Sequence, residues 1–555
     1  MSWLESRTGW GGALRSFGQT PVEGGARWAH AFGAALVALL AAQIVSGLAL
    51  ALSYSPGVTT AWASVARLEL TGLGRVLRAL HAHGATFILA VVALHVLQTA
   101  LAGAYRAPRE VTWWLGLVLL GIVLALALTG SLLPWDERGF WATRVTASIV
   151  ATVPLAGPPL ERALIGGAEL GNLSLTRFYA LHAVALPLLL LLVAAAHLFA
   201  VRRHGITAIR SDASGSGNAE PFWPRQALYD LAFSLLLLSG LLALALAWPA
   251  PLGAPADPTG PALPRPEWYF RPLFQLLALT PAPLERAATV LVPLCAAAFL
   301  GALPFLERRG PALAVLIGGF LASAALGIGS YVSDARSPAF RRQQAAAERR
   351  ARKALKLARA GVPPEGGLAL LMNQPEERGA RLFARLCLEC HKLGGQGADK
   401  APAMDGYLSR DWIAGLVAHP EAPQYFGNTK IRGMESFAHL GAGKLGLLAD
   451  FLVSLRDARG GPETFSPAHD AGRRIFEAAK CGDCHQLEPG KPGLGPSLAR
   501  YGSAEWLAGL VRDAGSPLYY DKENQMPAFG KALTDRQIGD LVAYLRTLSS
   551  PEGGP

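Results

Sequence analysis

The sequence predicts an all-α protein: a seven-span transmembrane helical bundle followed by two small α-helical domains. Three observations carry that expectation. Stretches 30–54, 84–105, 111–134, 178–201, 231–250, 287–306 and 311–333 contain no Asp, Glu, Lys or Arg. Each is long enough to cross ~30 Å of hydrocarbon as a helix. Beyond residue 365 such runs cease and the chain repeats itself. Cys387 and Cys481 stand 94 residues apart, and DWIAGLV at 411–417 returns as EWLAGLV at 505–511 with the same offset, the mark of a duplicated unit.

The elements follow in order. Residues 1–29 lack an apolar core and read as a cytoplasmic segment without a cleaved leader, so the first span is expected to act as the export signal. Residues 30–210 hold four spans and 211–333 three more. A basic stretch, 334–370, contains RRQQAAAERRARKALKLAR (341–359) and reads as a solvated helical linker near lipid headgroups. The repeats occupy 371–460 and 461–555. Of the 555 residues 51% are apolar and 16% charged, and the net charge is +11. That excess does not indicate nucleic-acid binding, because the arginines flank apolar spans or lie in the linker.

The second span reads LHAHGATFILAVVALH and the fourth LHAVALPLLLLLVAAAH. His81 and His95 are 14 residues apart, His182 and His197 are 15 apart, and four helical turns take 14.4 residues. Each pair therefore lies on nearly one face, its members roughly 21 Å apart along the axis. Two such helices facing each other would hold two stacked, non-covalent bis-histidine haems. One buried histidine in a span is an ordinary polar residue. Four imidazoles at membrane depth without iron would be costly.

CLECH (387–391) and CGDCH (481–485) are C-x-x-C-H motifs. Two thiols one helical turn apart can form thioether bonds to haem, and the adjacent histidine supplies an axial nitrogen. Cys387, Cys390 and His391 thus specify one covalent haem c, and Cys481, Cys484 and His485 another. No further Cys or close His completes a zinc site. Within each repeat a methionine offers a sixth ligand: Met434 lies 43 residues after His391, and Met526 lies 41 after His485. Thioether sulfur raises the potential of an electron acceptor. Met404 competes with Met434, although the repeat aligns it with Leu498. Both copies close with an amphipathic helix, LADFLVSLR (448–456) and IGDLVAYLR (538–546). Each unit resembles class I cytochrome c. Covalent haem is completed outside the bacterial cytoplasm, which places the C-terminal domains externally and, with seven spans, the N-terminus in the cytoplasm. Arg106, Arg109, Arg202, Arg203, Arg210, Arg308 and Arg309 then face inward, as positive charge tends to.

RALHAHGA, PREVTWW, GSLLPWDERGFWA, LTRFYALH, PFWPRQALYD, PADP and PEWYF occur in that order. On these motifs residues 28–333 resemble the cytochrome b of Rieske/cytochrome b (bc/bf-type) complexes. The 15-residue spacing and Pro187 match the chloroplast-like type, there usually split near residue 210 and here joined. The resemblance implies the core subunit of a proton-translocating quinol:cytochrome c oxidoreductase in the bacterial cytoplasmic membrane. It assigns His81 and His182 to the outer haem b and His95 and His197 to the inner. Arg78 is either a propionate partner or a snorkelling interface residue. Glu267 is the implied proton acceptor of an outer quinol site, with Tyr269 shaping the pocket. PWDERGFW forms the other wall, where Asp136 either assists proton release or caps a helix. Asp230 falls at an implied inner quinone site; Arg202 and His204, which follow the inner haem ligand, either bind or protonate quinone there or are ordinary interfacial residues. Ala31 stands where that type attaches an extra haem through Cys, Gln98 replaces an arginine, and Cys295 reads as a packing residue. The implied partners are a Rieske iron–sulfur protein on another chain, membrane quinol, and a cytochrome c or terminal oxidase as acceptor. A homodimer is the expected assembly. The alternative is a membrane-anchored electron conduit between the quinone pool and an external reductase, without Rieske-dependent bifurcation.

Overall fold

Each uncharged run becomes a long helix in the computed structural model, which describes residues 3–207, 219–260, 265–457 and 469–549. The spans are Phe32–Ala51, Gly72–Ala102, Glu110–Leu132, Asn172–His204, Arg225–Ala247, Ala282–Phe305 and Arg309–Arg336. Arg210 and the junction near it lie outside the described residues. By length and composition an eighth helix, Ala438–Asp457, could also cross a membrane, one more than the sequence predicts. Lys444 and Asp450 interrupt it. Its Leu448, Ala449, Phe451 and Leu452 are already buried in a protein core, so its apolar side has no lipid to meet.

The chain divides into two compact units, Met1–Leu370 and Leu371–Pro555. In the first, the second span packs on the first, the third on the fourth, and the fifth against the first and second. Leu39, Ile88, Val91 and Leu241 share one apolar cluster there. Trp113 and Trp114 of the third span donate their indole N–H groups to Leu300 O and Gly301 O, at 2.8 and 3.0 Å. These bonds tie it to the end of the sixth. Outward leucines such as Leu188, Leu191 and Leu192 are exposed, as a lipid-facing surface requires. Cys295 is exposed as well, which corrects its reading as a packing residue.

Two local features set the site. Within the fourth span, Leu181–Ala185 forms a π-helical turn that contains His182. A π-turn takes up one extra residue, so the 15-residue spacing there matches the 14-residue spacing of the second span. At the other end, Pro21–Val22 pairs antiparallel with Glu220–Pro221, and Val22 also bridges Ile206. The segment before the first span is thereby pinned to the connection that follows the fourth.

The basic stretch forms the helix Pro338–Ala358. It is not simply solvated. Ala354 and Ala358 are buried, and Arg350 lies 3.4 Å from Glu137 and 3.6 Å from Asp257. One guanidinium thus sits between acids from the PWDERGFW and PADP loops, which docks the helix on them.

In the second unit each repeat supplies a leading, a middle and a closing helix. These are Pro375–Leu386, Arg410–Ala418 and Gly441–Ser454, then Asp470–Ala478, Ala504–Arg512 and Asp535–Thr547. The packing crosses the repeats. The first leading helix packs on the second closing helix, and the second leading helix on the first closing helix. Glycines make both crossings close: Gly379 lies against the Asp540 carbonyl and Gly472 against the Leu447 carbonyl. Arg378 donates to both Asp540 oxygens, Nε at 2.7 Å and Nη2 at 2.6 Å. Two cores result. One holds Leu382, Phe383 and Met404 with Trp506 and Leu541. The other holds Trp412, Ile413 and Phe451 with Phe476 and Leu498.

Candidate functional site

The second and fourth spans bring the membrane histidines together at two levels. His81 and His182 face each other with ring centroids 6.1 Å apart, and His95 lies within electrostatic reach of His197. In His81, His182 and His197 the Nδ1 atom has a partner. His182 Nδ1 is 3.0 Å from Leu126 O and His197 Nδ1 is 3.0 Å from Thr112 O. A carbonyl only accepts, so Nδ1 carries the proton in both and Nε2 keeps its lone pair for a metal. His81 Nδ1 is 3.1 Å from Ser46 Oγ. That hydroxyl already donates to Ala42 O at 2.8 Å, so Nδ1 is again the donor.

A glycine of a neighbouring span faces each ring. A Cβ on Gly47 would come within 3.0 Å of His81, on Gly130 within 2.6 Å of His182, on Gly116 within 3.3 Å of His197, and on Gly33 within 3.8 Å of His95. The cradle is built for something flat and large beside each imidazole. Among the described residues no group of three or more His, Cys, Asp or Glu could hold a metal ion by itself. Paired imidazoles that keep Nε2 free fit haem, whose macrocycle would supply the remaining nitrogens. Sequence reading missed these glycines. Their signal was present, since Gly33 and Gly47, and Gly116 and Gly130, repeat the 14-residue spacing of the histidines.

The C-terminal motifs share one geometry. His391 Nδ1 donates to Pro402 O at 2.7 Å and His485 Nδ1 to Pro496 O at 2.8 Å. Burial holds both imidazoles below their ordinary pKa, so each presents a neutral Nε2. Burial pushes the Cys387 thiol up to about 12 and raises that of Cys481 as well. These residues fit covalent haem. Met404 is only 5% exposed and fills a core, whereas Met434 and Met526 lie at the margins of the cores.

At the outer loops, Glu267 is exposed and opens a turn closed by Phe270 N–H to its carbonyl at 2.9 Å. Tyr269 stands edge-on to Trp268. Burial, then the Glu267 charge, raises its phenol above the ordinary value, so it remains a donor. Asp334 positions this loop and was not foreseen. It accepts from Arg265 Nε at 3.0 Å and from Arg271 Nη1 at 2.8 Å, and Arg271 also lies over the Tyr331 ring. A lone charge at the end of an apolar run was the available signal.

For two residues the structure bears on the alternatives. Asp136 caps a helix, the second of its two expected roles: Oδ1 accepts from Gly139 N–H at 2.9 Å and Oδ2 from Gly253 N–H at 2.7 Å. Arg78 is no snorkelling residue, being 8% exposed. Its Nε donates to Glu69 at 2.8 Å, and its terminal nitrogens to the Pro251 and Ala250 carbonyls.

The inner residues fall in two places. Asp230 accepts from Gln226 Nε2 at 2.7 Å, and Gln226 Oε1 accepts from Arg27 N–H at 2.9 Å. Arg202 lies over the Phe17 ring at 4.2 Å, and the His204 carbonyl accepts from Arg109. The segment before the first span thus meets both groups, which are not in direct contact through any described hydrogen bond.

Comparison with known proteins adds the following. A family model described as "Cytochrome b(N-terminal)/b6/petB" matches residues 86–255. Another, "Cytochrome C oxidase, cbb3-type, subunit III", matches 374–452 and again 467–545. The menaquinol:cytochrome c reductase cytochrome b subunit of Geobacillus thermodenitrificans is 37% identical over 180 residues, 32% of this chain and 80% of that protein. The cytochrome b of Rhodobacter capsulatus is 33% identical over 290 residues, half of this chain and 66% of the relative's length. Among solved structures, "Hyperthermophilic respiratory Complex III" aligns with a TM-score of 0.52 at 27% identity, covering 59% of this chain and 90% of that one.

Proposed function

We propose that this chain, which belongs to the cytochrome b family, is the core subunit of a quinol:cytochrome c oxidoreductase of the bc/bf type. One observation carries the reading: two facing pairs of membrane histidines, each ring against a glycine at the same helical spacing. His81 and His182 would hold the outer of two haem b groups, and His95 and His197 the inner. The two C-x-x-C-H motifs would hold two haem c groups, with Met434 and Met526 available to complete them. When bound, these groups supply single-electron transfer, across the membrane through the b pair and externally through the c pair.

The chain's own residues handle the quinol. Glu267 takes a proton from a quinol hydroxyl. A carboxylate suits that task when a closing pocket desolvates it. Tyr269, kept protonated, orients the ring by donation, and Asp334 clamps the loop through Arg265 and Arg271. At the inner end Asp230, Arg202 and His204 orient quinone and deliver protons, so that oxidation outside and reduction inside move charge across the membrane. A Rieske iron–sulfur protein on another chain would supply the acceptor for the first electron, because Cys295 is the single cysteine outside the two motifs. The complex is a homodimer in the bacterial cytoplasmic membrane, with the N-terminus cytoplasmic and the second unit external, passing electrons to a cytochrome c or terminal oxidase.

The test is quinol-dependent reduction of added cytochrome c by the purified complex, with and without its Rieske protein. Activity that disappears on Rieske removal supports the reading. Undiminished activity makes the chain an electron conduit instead.

A further inference from the structure

We infer that the two covalent haems are ligated across the repeats: Met526 completes the site of His391, and Met434 completes the site of His485. This rests on the reading that both C-x-x-C-H motifs carry haem, and it reverses the pairing that sequence spacing suggests.

Position carries the inference. Cys387 and Leu388 pack against the core that also receives Met526, Phe529 and Leu533. Cys481 and Leu487 pack against the core that receives Met434, Phe437 and Leu440. Each methionine sits between the middle and closing helices of its own repeat, and those helices cover the other repeat's motif. The core at Cys481 contains Trp412, Leu448 and Leu452 from the first repeat together with Phe476 and Leu498 from the second. For ligation within a repeat, Met434 would have to leave that core.

The crossing point is built into the chain. Gly406 and Leu408 have φ of 68° and 63°, and their counterparts Arg500 and Gly502 have 56° and 75°. The left-handed region is unfavourable for Leu and Arg, so the same sharp turn is imposed in both copies. Immediately after it, Ser409 and Ser503 each cap a middle helix, accepting from Trp412 and Trp506 N–H at 3.1 Å. Tyr407 and Tyr501, inside the two turns, contact both cores. At each turn the chain leaves one core and joins the other. Met404 is no rival ligand, because its counterpart Leu498 fills the same place in the other core without a donor atom.

The experiment uses the full-length chain with one covalent haem at a time. In the Cys481→Ala, Cys484→Ala protein, which keeps only the haem at His391, Met526→Leu should abolish the near-infrared sulfur–iron band and Met434→Leu should leave it. In the Cys387→Ala, Cys390→Ala protein the two methionines should exchange roles. The opposite pattern, or a band that survives both replacements, overturns the inference. Absence of covalent haem from the unaltered chain would instead overturn the proposed function. A second measurement does not depend on single-haem assembly. Arg378→Asp and Asp540→Arg should each lower the unfolding temperature of the second unit, and the double variant should recover it. Strict additivity would mean that the leading and closing helices of different repeats are not partners, and would overturn the crossing.

Discussion

A glycine facing each membrane histidine makes the four rings the most demanding positions in the first unit. Gly130→Val places branched carbon where a Cβ alone already comes within 2.6 Å of His182. The variant should keep both c haems and lose one b haem, so that b haem falls to half the amount of c in a haemochrome assay. Full retention would mean that Gly130 is not part of a haem cradle. Glu267→Gln keeps the side-chain shape and removes the proton acceptor. Quinol oxidation should slow by about 10²–10⁴-fold, the usual range for general-base catalysis, with haem content unchanged; wild-type turnover would remove Glu267 from the mechanism. Asp136 belongs to a different category. Asp136→Ala strips a cap and should cost about 1–2 kcal/mol of stability, read as a lower unfolding temperature.

Among the elements, the outer loop depends on a carboxylate that sits between two arginines. Asp334 and Arg271 are each about nine-tenths buried, and breaking a buried pair from one side costs about 3–5 kcal/mol. Asp334→Asn should therefore destabilise the loop and raise the quinol KM while b haem content holds; unchanged KM and stability would deny it that role. The seven spans were legible because lipid excludes charge over ~20 residues, a rule that needs no tertiary information. The π-turn at His182 was legible only as one surplus residue in a spacing. Its conformation depends on what packs beside it. The crossed helices were not legible at all. Both closing helices present similar apolar faces, so the pattern in the sequence says which side is buried and not which copy covers it. The more distant partners of Asp136 and Arg78, Gly253 and Pro251, were not legible either, being more than a hundred residues away.

For the whole molecule, the proposed function would join a dihaem membrane core to an external pair of c haems and leave the high-potential acceptor to another chain. The purified complex should contain equal amounts of b and c haem, with only the c haem surviving denaturation. The central claim is that quinol oxidation here is divided between two routes. A quinol gives up its first electron uphill and needs a strong acceptor before the b haems can receive the second. Stopped-flow mixing of quinol with the isolated subunit tests this most directly. The account predicts little c haem reduction in the subunit alone, and rapid c reduction with parallel b reduction once the Rieske protein is added. Reduction of both c haems at catalytic rates by the isolated chain would contradict it.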